Sequence, residues 1–112
     1  MAITISSVDK KLQGSQQFQG IFKEMWAVTA TVSFASTAAA AEDTGAITVP
    51  GVAVGDMVVA LGFNADPEEN IFFYQAMVSA ANTVSLSFTN ASGSSDTPGP
   101  TQIKILIGRP SW

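Results

Sequence analysis

The feature of this chain that most constrains its fold is a series of short segments in which apolar and polar residues alternate. The clearest are residues 25–34, 83–89 and 102–108, with apolar side chains at every second position. Since successive side chains of a β-strand point to opposite faces, this period of two predicts half-buried strands. Gly, Pro and Asn separate the segments, and no long amphipathic helix competes with them.

Four more segments have the composition of short strands, at residues 2–6, 46–49, 57–63 and 71–79. The third is continuously apolar, which is typical of a strand buried on both faces. In the fourth, alternation places Phe72, Tyr74, Ala76 and Val78 on one side. Residues 2–6 form either a short strand or an extended arm, and the alanine-rich residues 35–45 form either a helical turn or a loop.

The length and the strand pattern together predict one all-β domain. A chain of 112 residues is the size of a single domain. Six or seven short strands separated by turn residues indicate an antiparallel β-sandwich or a small barrel. Residues 1–23 include a polar, Gln-rich stretch, and we interpret them as an N-terminal arm that precedes a β-sandwich domain at residues 24–112.

The residue counts exclude several kinds of chemistry. With no Cys and no His, the chain has no disulfide framework, no thiolate or imidazole metal ligand and no Ser-His-Asp triad. We therefore expect no enzymatic activity and no cofactor. Five basic residues against nine acidic ones argue against nucleic-acid binding, which requires concentrated positive charge. The sequence lacks an apolar stretch of about 20 residues and a signal-peptide pattern, so we expect no membrane partner.

Charged residues make up only 12% of the chain, about half the usual share. Ala, Ser, Thr and Gly take their place. A surface with little charge suits packing against other proteins, because few charges lose their hydration when it is covered.

A cluster of carboxylates provides the candidate catalytic residues. Asp66, Glu68 and Glu69 lie in the most polar loop of the chain. Paired carboxylates can serve a hydrolase or bind calcium, but this loop lacks the alternating spacing of calcium ligands. We interpret these side chains as solvated.

Two further polar residues have structural interpretations. Asp56 follows Gly55 at a turn, where an aspartate typically accepts hydrogen bonds from nearby backbone N–H groups. Asn90 begins the sequence Asn90-Ala91-Ser92, which matches the acceptor pattern for N-glycosylation. Without a signal peptide, we treat this match as chance.

The aromatic residues allow two interpretations. Four of them form either a platform for stacking sugars or a set of core and interface anchors, namely Trp26, Phe72, Tyr74 and Trp112. Alternation places Trp26 on the apolar face of its strand, which favours the core. Trp112 lies at the chain end, where a Trp typically docks on its own fold or on a neighbour.

Trp112 and residues of the predicted N-terminal arm form a candidate interface. The arm contains three of the five basic residues, with Phe18 and Phe22 nearby. A basic arm with apolar residues on an acidic domain can dock on an acidic partner or on a neighbouring copy. The alternative is a disordered tail. The candidate interface residues are Lys10, Lys11, Phe18, Phe22, Lys23 and Trp112.

Residues 45–90 contain a series of motifs in which the chain resembles a module of small virion proteins of tailed bacteriophages. They are Thr48-Val49-Pro50-Gly51, then Gly55-Asp56, the apolar strand that follows, and Ala80-Ala81-Asn82-Thr83-Val84 before Asn90. The general form is a Val-Pro-Gly turn, a Gly-Asp turn, a buried strand, and an alternating strand followed by a polar loop. The matching positions are structural turn residues, namely Pro50, Gly51, Gly55, Asp56 and Asn82.

The resemblance implies a jelly-roll-like β-sandwich on the capsid surface, acting as a cement or decoration protein after synthesis in the host cytoplasm. Its partners would be the major capsid protein and copies of itself, as a trimer at three-fold positions. Two other hypotheses remain. One is a head-fibre or tail-fibre component that binds a host-surface glycan through Tyr74 or Trp112. The other is a hydrolase that uses Glu68 and Glu69.

Overall fold

The computed structural model describes residues 3–12, as backbone and strand pairing, and residues 21–112. These residues form seven β-strands and no helix. The strands are β1 (Ile3–Leu12), β2 (Phe22–Phe34), β3 (Glu42–Thr48), β4 (Met57–Phe63), β5 (Ile71–Ala80), β6 (Thr83–Asn90) and β7 (Gln102–Pro110). The described part of the chain contains no helix able to span a lipid bilayer.

The strands form two sheets that pack face to face as a sandwich. One sheet has the order β1-β2-β7-β4 and the other the order β3-β6-β5. Every hydrogen-bonded pair of strands is antiparallel. The predicted antiparallel β-sandwich is therefore confirmed. The jelly-roll-like arrangement is not confirmed, because a jelly roll has eight strands and the described residues form sheets of four and three.

The core lies between the sheets, and the alternating segments provide most of it. The inward positions are buried in the two central strands of the larger sheet and in the central strand of the smaller one. They are Trp26, Val28, Ala30, Val32 and Phe34 of β2, Ile103, Ile105 and Ile107 of β7, and Val84, Leu86 and Phe88 of β6. Full burial of each large apolar side chain contributes about 1.5–3 kcal/mol, so the period of two builds the sandwich.

A cluster of four phenylalanines joins the two sheets within this core. Phe34 and Phe63 come from the four-stranded sheet, and Phe73 and Phe88 come from the three-stranded sheet. The ring of Phe73 lies 4.8 to 5.8 Å from the other three ring centroids. Phe34 meets Phe88 edge-on at 5.6 Å. Such aromatic pairs contribute about 0.5–1.5 kcal/mol each beyond the area that they bury.

The prediction that residues 57–63 are buried on both faces is wrong. β4 is an edge strand, paired with β7 alone. Val58, Leu61 and Phe63 pack against the core, whereas Val59 is 45% exposed. A bulge at Val59 changes the phase of the strand. A continuously apolar strand thus faces solvent along one edge.

The predicted alternation in β5 holds only in its second half. Ala76 packs against the core and Val78 is buried, but Phe72 and Tyr74 are more than half exposed. A bulge at Tyr74 changes which side chains face inward. As a result, Phe73 enters the core in place of Tyr74.

Part of the segment interpreted as an N-terminal arm lies in the four-stranded sheet. β1 pairs antiparallel with β2, from Ile3 opposite Phe34 to Leu12 opposite Trp26. Residues 3–12 are therefore an edge strand and not a free arm. The rest of the segment up to Gly20 lies outside the described residues.

The alanine-rich segment forms a loop, which is one of the two predicted alternatives. Residues 35–41 lead from β2 to β3, and Ala40 adopts the left-handed region with a φ of 54°. A tight turn closes there, because the N–H of Ala41 donates to the carbonyl of Ala38 at 3.2 Å. β3 begins at Glu42, earlier than predicted.

Candidate functional site

Two turns in residues 49–56 carry the Pro-Gly and Gly-Asp motifs. Gly51 and Gly55 have φ angles of 100° and 104°, in the left-handed region that glycine adopts at low cost. A Cβ at Gly55 would meet no atom within 4 Å, so the backbone angle, and not the available space, favours glycine there. The N–H of Asp56 donates to the carbonyl of Ala53 at 3.0 Å and closes the second turn.

Asn82 connects the first turn to the three-stranded sheet. It lies in the hairpin between β5 and β6, with a φ of 61°. Its Oδ1 accepts a hydrogen bond from the N–H of Gly51 at 2.8 Å. Its carbonyl accepts from the N–H of Val49 at 2.9 Å, and its own N–H donates to the carbonyl of Val52 at 2.8 Å. Three hydrogen bonds therefore hold this turn against the hairpin.

Arg109 of β7 connects the same turn to the four-stranded sheet. Its Nε donates to Oδ1 of Asp56 and its Nη2 donates to Oδ2, both at 2.9 Å. Nη2 also donates to the carbonyl of Gly51 at 3.0 Å. The guanidinium lies 5.0 Å from the ring centroid of Trp26 and 3.6 Å from the carboxylate of Glu24.

Gly51 thus bonds to one sheet through its N–H and to the other through its carbonyl. We call Gly51, Asp56, Asn82 and Arg109 the inter-sheet joint. The joint closes one end of the sandwich, where the two sheets have no direct strand pairing. Its polar groups bond to one another, which leaves no obvious substrate-facing group.

The pKa of Asp56 is lower than its ordinary value. Burial acts in the opposite direction and raises it, but the hydrogen bonds from Arg109 and from the N–H of Ala53, together with the charge of Arg109, outweigh burial. The bond to Asp56 raises the pKa of Arg109. A carboxylate held ionised in this way is a weak proton acceptor, so the pair suits a structural role better than acid–base catalysis.

We expect the contribution of Asp56 to stability to be lost at acidic pH. Because its folded pKa lies below the unfolded value of about 3.9, the contribution is complete above about pH 5 and disappears as the pH falls through the folded pKa. The stability difference between the wild-type chain and Asp56→Asn should therefore shrink below about pH 4. Urea unfolding across this range measures it. A difference that persists unchanged to about pH 2 would contradict the ion pair.

The structure brings two predicted interface residues together on the outer face of the four-stranded sheet. The ring centroids of Phe22 and Trp112 lie 6.0 Å apart. The Phe22 ring covers Gly108 so closely that a Cβ there would collide with it. Met25 and Met57 pair with Gly108 from the two neighbouring strands. We call Phe22, Met25, Met57 and Trp112 the terminal apolar patch.

The terminal apolar patch remains open to solvent. Trp112 is 75% exposed and Met57 is 43% exposed, despite the contact of Trp112 with Phe22. Lys23 is exposed at a bulge beside the patch. The backbones of Lys10 and Lys11 lie in β1, opposite Val28 and Ala27.

The remaining interface residue, Phe18, lies outside the described residues. The structure therefore brings together only Phe22 and Trp112 of the predicted set, with Lys23 adjacent to them. Of the residues proposed as a sugar-stacking platform, Trp26 is buried in the core. Phe72 and Tyr74 are exposed on β5, and neither of them takes part in the contact between Trp112 and Phe22.

The acidic loop is held by hydrogen bonds of its own side chains, those of Asn64 to residues 101 and 102 and that of Asp66 within the loop. Oδ1 of Asp66 accepts a hydrogen bond from the N–H of Glu68 at 3.1 Å, and Glu68 has a φ of 95°. Among the side chains of residues 21–112, no three potential metal ligands are grouped together. The geometry is that of a solvated turn.

Asn90 is fully buried, and its side chain organises two loops. Its Nδ2 donates to the carbonyls of Thr37, Ala38 and Ser94 at 2.9 to 3.3 Å. Its Oδ1 accepts from the N–H and the hydroxyl of Ser92 at 3.0 and 2.8 Å. The amide nitrogen that a glycan would occupy is already bonded inside the protein, which agrees with a chance match to the glycosylation pattern.

Arg109 was not predicted as the partner of Asp56, because the two residues lie 53 positions apart in the chain. A signal was present. Arg109 continues the inward-facing series Ile103, Ile105 and Ile107, and a charged side chain in such a position requires a partner.

Comparison of the chain with protein-family models, curated proteins and solved structures gives no match.

Proposed function

We propose that the chain is a structural protein of a bacteriophage virion, a cement or decoration protein that stabilises the head by binding between major capsid subunits. The observation that carries the proposal is the terminal apolar patch, in which Trp112 is 75% exposed. An aromatic side chain of this kind can bury about 150–250 Å² against a partner. Covering the patch is therefore favourable, and it requires the removal of little charge from water.

The resemblance to virion modules supports the same proposal through a different set of residues. The residues that carry the resemblance include Gly51, Asp56 and Asn82, which form most of the inter-sheet joint. Two residues of the joint are chain neighbours of this patch, since Asp56 precedes Met57 and Arg109 follows Gly108, which the Phe22 ring covers. The general form of the resembling module thus corresponds to the turns that lie beside the patch.

The mechanism is stabilisation by selective binding. A protein that binds the assembled lattice, and not the separate subunits, stabilises the lattice by mass action. Repeated copies add avidity, so that each contact can be weak. We propose that the chain is made in the host cytoplasm, forms a trimer, and binds the major capsid protein at the capsid surface without enzymatic activity.

Capsid binding by the purified chain tests this function. We expect the wild-type chain to cosediment with expanded capsids that lack it and to raise their disruption temperature. Trp112→Ala should weaken binding at least about tenfold without unfolding the chain, because the side chain is an exposed anchor. Val54→Ala is the matched control, since Val54 is 72% exposed but lies outside the patch. Unchanged disruption temperatures with the wild-type chain would contradict the proposal.

A fibre component that binds a host-surface glycan is the second candidate. The observation that favours it is the exposure of Tyr74, at 55%, and of Trp112, since exposed aromatic rings can stack on sugars. A glycan array measures such binding directly. An array without hits, together with immunogold label over the head and not over the tail, would eliminate this candidate.

A further inference from the structure

The sandwich has two open sides, and its edge strands differ in charge between them. β1 and β3 contact each other at one side, and β4 and β5 contact each other at the other side. The first pair contains Asp9, Lys10, Lys11, Glu42 and Asp43. β4 and β5, of seven and ten residues, contain no charged residue and no proline.

Natural sheets protect their edges from other chains with charged residues, proline, bulges or a covering segment. The β1/β3 side has the charged residues, and the β4/β5 side lacks them. Bulges at Val59 and Tyr74 interrupt the two uncharged strands. Such bulges limit continuous strand pairing, which favours a discrete contact through side chains over open-ended aggregation.

Apolar side chains are exposed along the β4/β5 side. Val59, Phe72, Tyr74 and Met77 are 42 to 55% exposed. Val59 and Tyr74, the two bulge residues, line a groove of about 300 Å³ between the strands, together with Leu61. Exposed apolar side chains beside a groove of this kind mark an interaction site on a small domain.

We propose that a second copy of this chain covers the β4/β5 side, in a symmetric contact with Val59 and Tyr74 near the symmetry axis. The chain has a net charge of −4, so two copies repel each other across most of their surface. A contact through β4 and β5 places uncharged strands between the copies and keeps the charged strands β1 and β3 on the far sides. Within the two strands themselves, a charged partner would find no complementary group.

The area of the β4/β5 side also fits a contact with a second copy of the chain. A ten-residue strand spans about 33 Å, and two packed sheets with their side chains span about 20 Å, so the side offers roughly 650 Å². A stable interface buries about 800 Å² per partner, and residues at the rim supply the difference. In a symmetric contact each apolar side chain is used twice, once from each copy.

This inference goes beyond the proposed function, because a two-fold contact pairs copies whereas a trimer forms through a different, three-fold contact, and it does not require a capsid. Its tests use the isolated chain. Failure of self-association would leave capsid binding through Trp112 unaffected. Failure of capsid binding would leave the contact between copies unaffected.

The first test is the mass of the chain in solution, measured by light scattering after size-exclusion chromatography. We expect the wild-type mass to be an even multiple of 11.6 kDa, because a two-fold contact pairs the copies. Tyr74→Lys should raise the dissociation constant at least about tenfold, because the lysine loses its hydration in the contact. Ala46→Lys, on the exposed face of β3, should not change it. A wild-type monomer at high concentration, or full assembly of Tyr74→Lys, would overturn the proposal.

The second test remains informative if Tyr74→Lys does not fold. The chain has no cysteine, so a single introduced thiol reports on its own surroundings. Gln75→Cys, exposed on β5, should form a disulfide between copies under mild oxidation, whereas Thr48→Cys, exposed on β3, should stay monomeric on a denaturing gel. Cross-linking at position 48 and not at position 75 would assign the contact to the opposite side.

Discussion

Replacement of Asn90 by alanine is expected to lower the free energy of unfolding by about 3 to 4 kcal/mol. The Asn90 side chain is fully buried and makes five hydrogen bonds to the loops around it. Each buried polar group that loses its partner costs about 1–3 kcal/mol, and solvent can restore some of these bonds at the loops. Thermal unfolding followed by circular dichroism should show a Tm lower by about 10 to 20 °C.

Two variants control this prediction. Asn70 is half-buried, and its side chain makes no hydrogen bond within the described residues, so Asn70→Ala should change stability by less than about 1 kcal/mol. Asn90→Asp keeps the size of the side chain, but an ionised carboxylate cannot donate to the carbonyls of Thr37 and Ser94. It should therefore destabilise the chain as much as alanine does at neutral pH. Equal Tm values for Asn70→Ala and Asn90→Ala would refute the stabilising role of Asn90.

Strands with one buried face could be predicted from the sequence because the period of two is a local property. The inward series that ends at Ile107 in β7 and the series that begins at Trp26 in β2 are both buried. Each of these positions can be recognised from the alternation of apolar and polar residues within its own strand. The antiparallel sandwich follows from their number and from the turn residues between them.

Edge strands could not be predicted in the same way, because the position of a strand in a sheet depends on its partners. The apolar run of β4 fits a central strand equally well, and only the pairing with β7 places it at an edge. A bulge is also invisible to a periodic pattern. At Tyr74 one extra residue reverses the faces of β5, so that Phe73 and not Tyr74 enters the core.

The candidate site was predictable only in its local parts. The turn at Asp56 has a clear sequence signal, since Gly-Asp favours a tight turn. Its partner Arg109 is 53 residues away, and the contact between Phe22 and Trp112 joins the start of β2 to the residues that follow β7. Such contacts depend on the order of strands in the sheets, which the sequence pattern does not determine.

Replacement of Arg109 by methionine is expected to lower the free energy of unfolding by about 2 to 3 kcal/mol. Methionine keeps much of the aliphatic volume beside Trp26, but it removes the donors to Asp56 and to Gly51. The Asp56 side chain, which is only 4% exposed, then lacks its counter-charge. Because the Arg109 side chain is 30% exposed, the loss should be smaller than the roughly 3–5 kcal/mol of a fully buried pair. Urea unfolding measures it.

The matched control lies on the same strand. Lys104→Met removes a cation from the exposed outer face of β7 and should change stability by no more than about 0.5 kcal/mol. Arg109→Lys keeps the charge, but one ammonium group cannot reproduce the two-point bond to Asp56 and the bond to Gly51 together. We expect an intermediate loss of about 1 to 2 kcal/mol for this variant.

A double-mutant cycle then decides whether the inter-sheet joint acts as a unit. Asp56→Ala and Arg109→Met each break the same ion pair, so together they should destabilise less than the sum of the two, by at least about 1 kcal/mol. Additive losses would mean that the two residues act independently and that core packing alone holds this end of the sandwich. A clear coupling would mean that Gly51 is fixed from both sheets at once, which keeps β4 and β7 in register at the terminal apolar patch. The patch would then be presented as a rigid surface, which lowers the ordering cost of the proposed binding to a capsid.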